Sequence, residues 1–394
     1  MKERRKQISL LVPDIGSPIV GAALKLAHYL REAYEVQLVG PDFGSGVCSM
    51  YRDAAHYTVI PAGRLYRYPD YWWECRRLAA AVTGDVIIAL KAYANTVPVA
   101  LSLKKRRDCR VMVYLDEWDG ALWHTLSPRD KIRTVLQHGH HPLESCYHAR
   151  VERMIPQADQ VLSTTTFLQK KFGGQVLHAG VDTDRFQPQP SVAVERLRVE
   201  LGLAGKRIIV FGGVVRPHKG VEEIVGALER IGDDRNRLLI AGPLTDHLEA
   251  LRGTPAGSQY ICVAGTKMHD TEGVNAKVHA AMPLYLDLGH LVVLPLRDTP
   301  LAQSQMPIKI FEAMAMAKPI IASAVSDLPE ILAGCGIVVP PGDPVALATA
   351  IQSILDDPQR AQALGESARE KCIREYGQPV MRQALLRVVE RVMR

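Results

Sequence analysis

The sequence predicts an α/β protein of two domains, each built on a parallel β-sheet. Short apolar segments alternate with amphipathic helical segments in two stretches of the chain, and this alternation is typical of parallel sheets covered by helices on both faces. The chain has 394 residues, of which 47% are hydrophobic and 23% charged, enough for two cores. Because ligands of such sheets bind beyond the carboxyl ends of the strands, we expect the functional site between the two halves.

The first half opens on the apolar strand segment 8–12, followed by a loop with Gly16 and Gly21 and then a helix predicted over 22–31. A polar, proline-rich linker at 187–190 precedes the second half. We predict domains at 1–186 and 187–375, with a C-terminal helix at 376–394 that packs back on the first domain. Further strands are predicted at 36–39, 86–90, 111–115, 160–163, 207–213, 238–242, 260–265, 291–296, 319–323 and 336–340, and helices at 221–230, 307–317 and 344–355.

The charge pattern leaves two interpretations open. The net charge is +6, with local basic clusters at 2–6 and 104–107. These clusters are either solvated surface or a means of attracting phosphate, in a ligand or on an anionic membrane. No recognised nucleic-acid module accompanies them, so a nucleic-acid partner is not expected.

The remaining bulk features point to the cytoplasm. The charged N-terminus runs directly into a strand segment and does not resemble a signal peptide, and no segment has the pattern of a transmembrane helix. Seven scattered cysteines without a CxxC pair argue against a disulfide framework or a structural zinc site. We expect a cytoplasmic protein, with the inner face of the membrane as the alternative position.

Two segments of the second half carry candidate phosphate-binding chemistry. In 211–220 (FGGVVRPHKG), glycines allow close backbone approach, and Arg216 and Lys219 bring two cations to one loop, which suits a diphosphate. In 307–319, Pro307 favours a helix start whose N–H groups can bind phosphate, and Glu312 can accept hydrogen bonds from a ribose diol. The alternatives are a surface turn with incidental basic residues and an amphipathic core helix.

The first half carries an acidic segment, 116–119 (DEWD), directly after a predicted strand. Its carboxylates can orient acceptor hydroxyls or support charge that develops on a sugar. Alternatively, Asp116 and Asp119 cap a following helix. Trp118 and Trp123 can stack on a sugar or simply pack in the fold.

Two further patterns resemble metal sites, and we interpret both as structural. Asp182-Thr-Asp184 has the DxD form but lies in a loop before the linker, so a structural loop is the favoured interpretation. The histidines of 138–141, with Glu144 nearby, lack the HExxH arrangement and are interpreted as a solvated loop.

From about residue 176 to the C-terminus, the sequence resembles the retaining GT-B glycosyltransferases of family 4. The resemblance implies two Rossmann-like domains that face each other across a cleft, the first for the acceptor and the second for the donor. The motifs that carry it are GVDTDRF at 180–186, RPHKG at 216–220, KIFEAMAMAKPIIAS at 309–323, DLPEIL at 327–332 and GIVVPPGD at 336–343.

The resemblance also implies a reaction. It is the transfer of a sugar, with retention of anomeric configuration, from a nucleoside-diphosphate sugar to a glycan, lipid or small-molecule acceptor, by a hexosyltransferase-type enzyme that requires no cofactor or metal. Peripheral membrane contact is compatible with it. The alternatives are a catalytically silent GT-B binding subunit, a sugar-nucleotide epimerase and a phosphorylase.

The family pattern assigns roles to individual positions. Arg216 and Lys219 hold the donor diphosphate and Glu312 contacts the ribose, whereas Ser304 stands where the family has a glutamate that contacts the donor sugar. Many members have a histidine near 116–119, where this chain is acidic and His124 is the nearest histidine. The predicted catalytic residues are Asp116, Glu117, Asp119, His124, Arg216 and Lys219, and the predicted donor-binding residues are Gly16, Gly213, Arg216, Lys219, Gln303, Ser304, Gln305, Pro307, Lys309 and Glu312, with no metal ligands.

Overall fold

The computed structural model describes residues 6–48, 51–52, 56–62, 69–267 and 273–394. The chain divides into two compact units, called here the first and the second unit. The first unit comprises Met1–Ala179 and Met381–Arg394, and the second comprises Gly180–Val380. Each unit is built on one sheet of parallel strands, as the sequence predicts.

The described residues of the first unit form a seven-stranded sheet in the order β3-β2-β1-β4-β5-β6-β7. Its strands are β1 Gln7–Leu11, β2 Glu35–Asp42, β3 Tyr57–Pro61, β4 Val86–Leu90, β5 Arg110–Leu115, β6 Gln160–Ser163 and β7 Gln175–Val176. Its helices are α1 Ile19–Leu30, α2 Tyr71–Ala81, α3 Val97–Lys104, α4 Ala121–Thr125, α5 Pro128–His138, α6 Ser145–Glu152 and α7 Thr166–Phe172, together with most of the C-terminal helix α19, Gln378–Met393.

Apolar strands of continuous burial form the centre of this sheet. All five residues of β4 are buried, because the strand has sheet neighbours on both edges and helices on both faces. The pairing of Leu90 with Tyr114 sets the end of β4 beside the end of β5. Residues that follow these two strands therefore emerge at the same edge of the sheet.

In the second unit, the part of the chain that the structure describes forms a six-stranded sheet in the order β10-β9-β8-β11-β12-β13. Its strands are β8 Arg207–Gly212, β9 Asn236–Ala241, β10 Ile261–Val263, β11 Leu291–Leu294, β12 Ile320–Ser323 and β13 Ile337–Val339. Its helices are α8 Ser191–Glu200, α9 Val221–Ile231, α10 Asp246–Arg252, α11 Pro255–Tyr260, α12 Val274–Ala280, α13 Met282–Leu288, α14 Pro300–Ser304, α15 Lys309–Ala315, α16 Leu328–Leu332, α17 Pro344–Leu355, α18 Pro358–Lys371 and the start of α19 Gln378–Met393.

This sheet separates two apolar clusters. Phe311 of α15 belongs to the cluster on one side, and Ile224 of α9 belongs to the cluster on the other. The apolar residues of α9 recur every three or four positions, which places them on the face that packs against the sheet.

The C-terminal segment from Met381 belongs to the first unit. Its apolar side chains Leu385, Val388 and Val389 are buried. Arg382 forms an ion pair with Glu32, which follows α1. Among the described residues, no helix is both long enough and apolar enough to cross a membrane.

Some element bounds differ from the sequence prediction. The helix predicted over 22–31 begins earlier, at Ile19, and the one predicted over 307–317 begins at Lys309. The edge strands β3 and β7 were not predicted. No residue of either strand is buried, so they lack the apolar run that identifies the central strands.

Candidate functional site

A cavity of about 240 Å³ lies at the carboxyl end of β8 in the second unit. The loop after β8 forms one wall, and the segment between α14 and α15 forms another. The cavity brings together several residues predicted for donor binding: Gly213, Arg216, Lys219, Gln305, Pro307 and Lys309.

Glycines determine the path of the loop after β8. Gly213 has a φ of +111° and Gly220 a φ of +67°, which L-residues rarely adopt. A Cβ atom on Gly220 would lie 2.0 Å from the carbonyl oxygen of Pro295, so only glycine fits there. Between these glycines, Pro217–Lys219 form one turn of 3₁₀-helix that presents Arg216 and Lys219 to the cavity.

Three cationic side chains line the cavity, of which one is oriented by a hydrogen bond and another by an ion pair. Lys219 Nζ donates to Gln305 Oε1 at 2.8 Å, and Lys309 Nζ lies 2.9 Å from Glu312 Oε2. Arg216 is exposed. A cavity with two ammonium groups, one guanidinium fork and closely approaching glycine backbone can bind a diphosphate.

Glu312 is almost fully buried, one turn inside α15, and its carboxylate pairs with Lys309. His279 of α12 lies in the same electrostatic environment. Its pKa is lowered first by burial and then by Lys309, against an opposing effect of Glu312, while Arg185 lowers it slightly further. The sequence analysis missed His279, because nothing in its local sequence connects α12 to α15.

Gln303 and Ser304 are not among the residues that line the cavity. The Gln303 carboxamide donates to Asp298 Oδ1 at 2.7 Å and accepts from the backbone N–H of Ser326 at 2.8 Å. Ser304 is fully buried, and its hydroxyl donates to the Leu301 carbonyl oxygen at 2.8 Å. Both side chains stabilise the fold around α14.

The acidic segment of the first unit surrounds a buried lysine. Lys91 follows β4, and its Nζ lies 3.2 Å from Asp116 Oδ1 and 3.0 Å from Asp119 Oδ1, and also contacts Glu117. Burial alone would lower the pKa of Lys91, but the three carboxylates raise it well above its usual value. The sequence analysis missed Lys91, because the adjacency of β4 and β5 is a property of the fold.

The backbone at Lys91 is held in an uncommon conformation. Its φ of +64° is unusual for a residue other than glycine. The Lys91 N–H donates to the Tyr114 carbonyl at 2.8 Å, and the Lys91 carbonyl accepts from Thr96 Oγ1 at 2.7 Å. These two bonds hold the side chain directed at the acidic segment.

Three carboxylates beside one ammonium group leave an excess of negative charge. Burial, and then the neighbouring Glu117 and Asp116, raise the pKa of Asp119 to about 7, although Lys91 opposes the shift. Burial likewise raises the pKa of Asp116, against the effect of Lys91. The helix-capping alternative is wrong, since Gly120 is the N-cap of α4 and no side chain caps it.

His124 lies in a separate pair on the same segment. Its Nε2 is 3.2 Å from Glu152 Oε2, and the other carboxylate oxygen accepts from Trp118 Nε1 at 2.8 Å. The Trp118 and His124 rings lie 5.1 Å apart. Glu152 comes from α6 and was also missed, because it is distant in sequence.

A buried histidine adjoins the acidic cluster. One ring nitrogen of His148, Nδ1, lies 3.1 Å from the Asp119 carbonyl oxygen, and the ring packs 4.5 Å from Tyr93. Burial lowers the pKa of His148. Among the described residues, Nε2 of His148 is buried with no hydrogen-bond partner.

Gly16 lies in the loop between β1 and α1. Its N–H donates to Asp14 Oδ1 at 2.8 Å. A Cβ atom at Gly16 would lie 2.4 Å from Ser45 Oγ, so a larger residue there would displace the Ser45 side chain.

The first of the two metal-like patterns, Asp182-Thr-Asp184, lies in a closed turn. Asp182 Oδ1 accepts from the backbone N–H groups of Asp184 and Arg185 at 3.0 and 3.1 Å, which closes a turn. Within the part of the chain that the structure describes, no group of three or more His, Cys, Asp or Glu residues is placed to hold a metal.

The structure describes the second of the two basic clusters, 104–107, but only Lys6 of the first. Residues 2–5 lie outside the described residues. In the second cluster, Lys104 Nζ lies 2.8 Å from Asp159 Oδ1, and Arg107 donates to the Gly84 carbonyl at 3.0 Å. These contacts tie two of its cations to the fold.

Comparison with known families assigns the unit that contains the cavity. Residues 205–357 match the family described as Glycosyl transferases group 1. The matched stretch lies within the second unit. The matched residues include the β8 loop, α14 and α15, so the cationic cavity lies within the glycosyl transferase region.

Curated relatives carry glycosyltransferase names. The alpha-D-kanosaminyltransferase of Streptomyces kanamyceticus is 30% identical over 44% of this chain and 42% of the relative. The GDP-mannose-dependent alpha-(1-6)-phosphatidylinositol monomannoside mannosyltransferase of Mycolicibacterium smegmatis is 26% identical over 63% of this chain and 68% of the relative. The chain thus spans less than half of the first relative and about two thirds of the second.

A solved structure shares the whole fold. The Anabaena HepE protein in complex with UDP superimposes with a TM-score of 0.72 at 18% identity, covering 98% of this chain and 99% of that chain. Each unit thus has a counterpart in that structure, and each has the Rossmann-like parallel sheet of the GT-B fold, as the sequence predicts.

Proposed function

We propose that this protein is a family 4 glycosyltransferase that transfers a sugar from a nucleoside-diphosphate sugar, with retention of anomeric configuration. The observation that carries the proposal is the cavity lined by Arg216, Lys219 and Lys309 beside a glycine-shaped loop, inside a region that matches the family Glycosyl transferases group 1. The Anabaena structure with bound UDP supports a nucleotide donor.

In this proposal, the cations of the second unit stabilise the leaving group. Negative charge grows on the β-phosphate as the glycosidic bond breaks, and donors already in place lower the barrier. Arg216 offers paired donors, while Lys219 and Lys309 are compact charges whose positions are set by Gln305 and Glu312. Glu312 holds the ribose, and no metal or other cofactor is required.

The acidic cluster of the first unit is proposed to face the acceptor. Glu117 and Asp116 are partly exposed and can accept hydrogen bonds from acceptor hydroxyls, while Lys91 holds them in place. His124, held by Glu152, lies beside Trp118, whose ring can pack on a sugar. Glycans, lipids and small molecules are all candidate acceptors. A cytoplasmic position at the inner face of the membrane is compatible with each.

The donor proposal is tested by thermal stability with UDP, GDP and ADP in turn, for the wild type, Arg216→Ala and Arg374→Ala. Arg374 is an exposed arginine of the second unit outside the cavity, so it is the matched control. A ligand at a hundred times its dissociation constant stabilises by about 2.7 kcal/mol. We expect a shift with one diphosphate that Arg216→Ala loses and Arg374→Ala keeps. A shift with none of the three would overturn the donor proposal.

The second candidate function is a catalytically silent binding subunit, which the buried Ser304 favours, since it stands in place of the family's sugar-contacting carboxylate. Incubation with the sugar nucleotide of the base identified above, followed by NMR of the products, separates the candidates. Transfer to an acceptor with an unchanged anomeric configuration supports the transferase. Binding without turnover supports the silent subunit, and conversion of the donor sugar without an acceptor supports an epimerase.

A further inference from the structure

Helix α5 of the first unit presents its apolar side to solvent. Ile132, Val135 and Leu136 are all exposed, and their three- and four-residue spacing places them on one face. No residue of the helix is buried, and only Lys131 and Thr134 are partly buried. The helix therefore packs on the unit through a polar side, the reverse of a helix that serves a core.

Basic side chains flank this apolar face. At 3.6 residues per turn, Arg129 and Arg133 lie along one edge of the apolar face and Lys131 along the other. Asp130, the acidic residue of the helix, lies on the opposite side, where its carboxylate accepts from the hydroxyl of the N-cap residue Ser127. An apolar strip between basic edges is the pattern of a helix that lies in the interface of an anionic bilayer.

Neighbouring residues enlarge the surface. Leu122 of α4 is exposed, and Lys131 Nζ lies 5.7 Å from the centre of the Trp123 ring. A cavity of about 270 Å³ beside α5 is lined by Trp123, Val135, Tyr147, Arg150 and Arg153, among others. Two guanidinium groups next to aromatic rings suit the phosphate of a lipid headgroup, and tryptophan is favoured at membrane interfaces.

We propose that this surface, formed by Leu122, Trp123 and α5, docks on an anionic lipid bilayer. The apolar side chains insert at the headgroup boundary, and the adjacent cavity receives a lipid phosphate. A second copy of the chain is a poorer occupant. In a two-fold contact through α5, the basic edges of one copy would lie against the basic edges of the other, and the like charges would repel. The docking surface is distinct from the donor cavity, and its test does not depend on transferase activity.

Co-sedimentation with vesicles tests the proposal. Vesicles of phosphatidylcholine alone and of phosphatidylcholine with phosphatidylglycerol are mixed with the wild type, with Ile132→Gln/Leu136→Gln and with Val192→Gln/Val199→Gln. The last variant is the matched control: Val192 and Val199 on α8 are 71% and 63% exposed, against 62% and 79% for Ile132 and Leu136. All three proteins are first compared by circular dichroism and melting temperature.

We expect the wild type and the α8 control to bind the phosphatidylglycerol vesicles equally, and the α5 variant to bind at least about tenfold more weakly. A second variant, Arg129→Gln/Arg133→Gln, should lose affinity for these vesicles and the sensitivity of binding to salt.

Three outcomes would overturn the proposal. They are no sedimentation of the wild type with phosphatidylglycerol vesicles at low salt, equal binding to both kinds of vesicle, and equal loss of binding in the α5 and α8 variants. A concentration-dependent dimer that Ile132→Gln/Leu136→Gln abolishes would also overturn it, because the surface would then bind a second copy of the chain.

Discussion

Lys91 Nζ lies 3.0 Å from Asp119 Oδ1, although the two residues come from loops after different strands. Lys91 is the cation at the centre of the acidic cluster, and Asp119 is its most buried carboxylate. The cluster therefore links the stability of the first unit to the protonation of an acidic site proposed to face the acceptor.

The raised pKa of Asp119 predicts a specific dependence of stability on pH. An unfolded aspartate has a pKa of about 3.9, whereas Asp119 in the folded protein has a pKa of about 7. Between these values the folded state binds the additional proton, so this residue's contribution to stability falls as pH rises through the interval. The Asp119→Asn variant lacks this titration and resembles the protonated acid.

We therefore expect the free energy of unfolding of Asp119→Asn to rise relative to that of the wild type as the pH increases from about 4 to about 7. The total gain is up to about 4 kcal/mol, and the difference stays constant above about pH 7. Urea denaturation of both proteins at several pH values measures the difference. An unchanged difference across the interval would show that Asp119 is already ionised at low pH.

Removal of Lys91 should be far more costly than removal of an ordinary lysine. In Lys91→Met, three carboxylates keep their positions without the cation, and breaking a buried ion pair typically costs about 3–5 kcal/mol. Lys104→Met is the control, because its pair with Asp159 has a similar distance but is more exposed, and such pairs contribute about 0–1 kcal/mol. Chemical denaturation measures the free energy of unfolding of both variants. An equal decrease in Lys91→Met and Lys104→Met would contradict the central role of Lys91.

The geometry of the guanidinium group predicts a graded effect at Arg216. If the donor diphosphate takes paired hydrogen bonds from Arg216, then lysine keeps the charge but not the planar fork. We expect Arg216→Lys to weaken diphosphate binding about tenfold and Arg216→Ala about a hundredfold. Isothermal titration calorimetry with the diphosphate identified by thermal shift measures both. Wild-type affinity in Arg216→Lys would show that only the charge matters.

The two glycines that flank α9 allow the cost of a steric clash to be distinguished from the cost of backbone strain. Gly220 precedes the helix and Gly232 follows it, and both have a φ of +67°. A Cβ atom at Gly220 would lie 2.0 Å from the Pro295 carbonyl oxygen, whereas the nearest atom to a Cβ at Gly232 is 4.0 Å away.

We expect Gly232→Ala to cost about 1 kcal/mol, the strain of an L-residue in this conformation. Gly220→Ala should cost clearly more, about 3 kcal/mol, and should also reduce diphosphate binding because the loop that carries Arg216 and Lys219 must shift. Thermal melting and ligand titration of both variants measure this. If the two alanine variants lose the same stability and bind the diphosphate equally well, the backbone at Pro295 moves away from the added Cβ atom at little cost.

The elements that the sequence predicted well are those whose signal is local. The strand at 86–90 is a continuous apolar run and has the predicted bounds. The loop at 211–220 is recognisable in the sequence from its glycines and two cationic residues. These features depend on neighbours in the chain, so a single sequence contains them.

The residues that were missed depend on contacts between distant segments. Lys91, His148 and Glu152 surround the acidic segment because β4 lies beside β5 and α6 packs near α4. The sequence likewise does not show whether the side chains of Gln303 and Ser304 point towards the cavity, since a helix of one turn can present either side chain inward. Pattern alone locates a loop but not the partners of its side chains.

The buried serine of α14 gives the last prediction. Ser304 is enclosed, and its hydroxyl donates to the Leu301 carbonyl of its own helix at 2.8 Å. Ser304→Ala should therefore cost about 1 kcal/mol. In contrast, Ser304→Glu, which introduces the family's residue, should cost about 3 kcal/mol or more, because the carboxylate must leave water at an enclosed position. Urea denaturation measures both variants. If Ser304→Glu proves as stable as Ser304→Ala, the α14 segment has room to turn a carboxylate towards the cavity, and the enclosure of position 304 does not by itself exclude the family's glutamate.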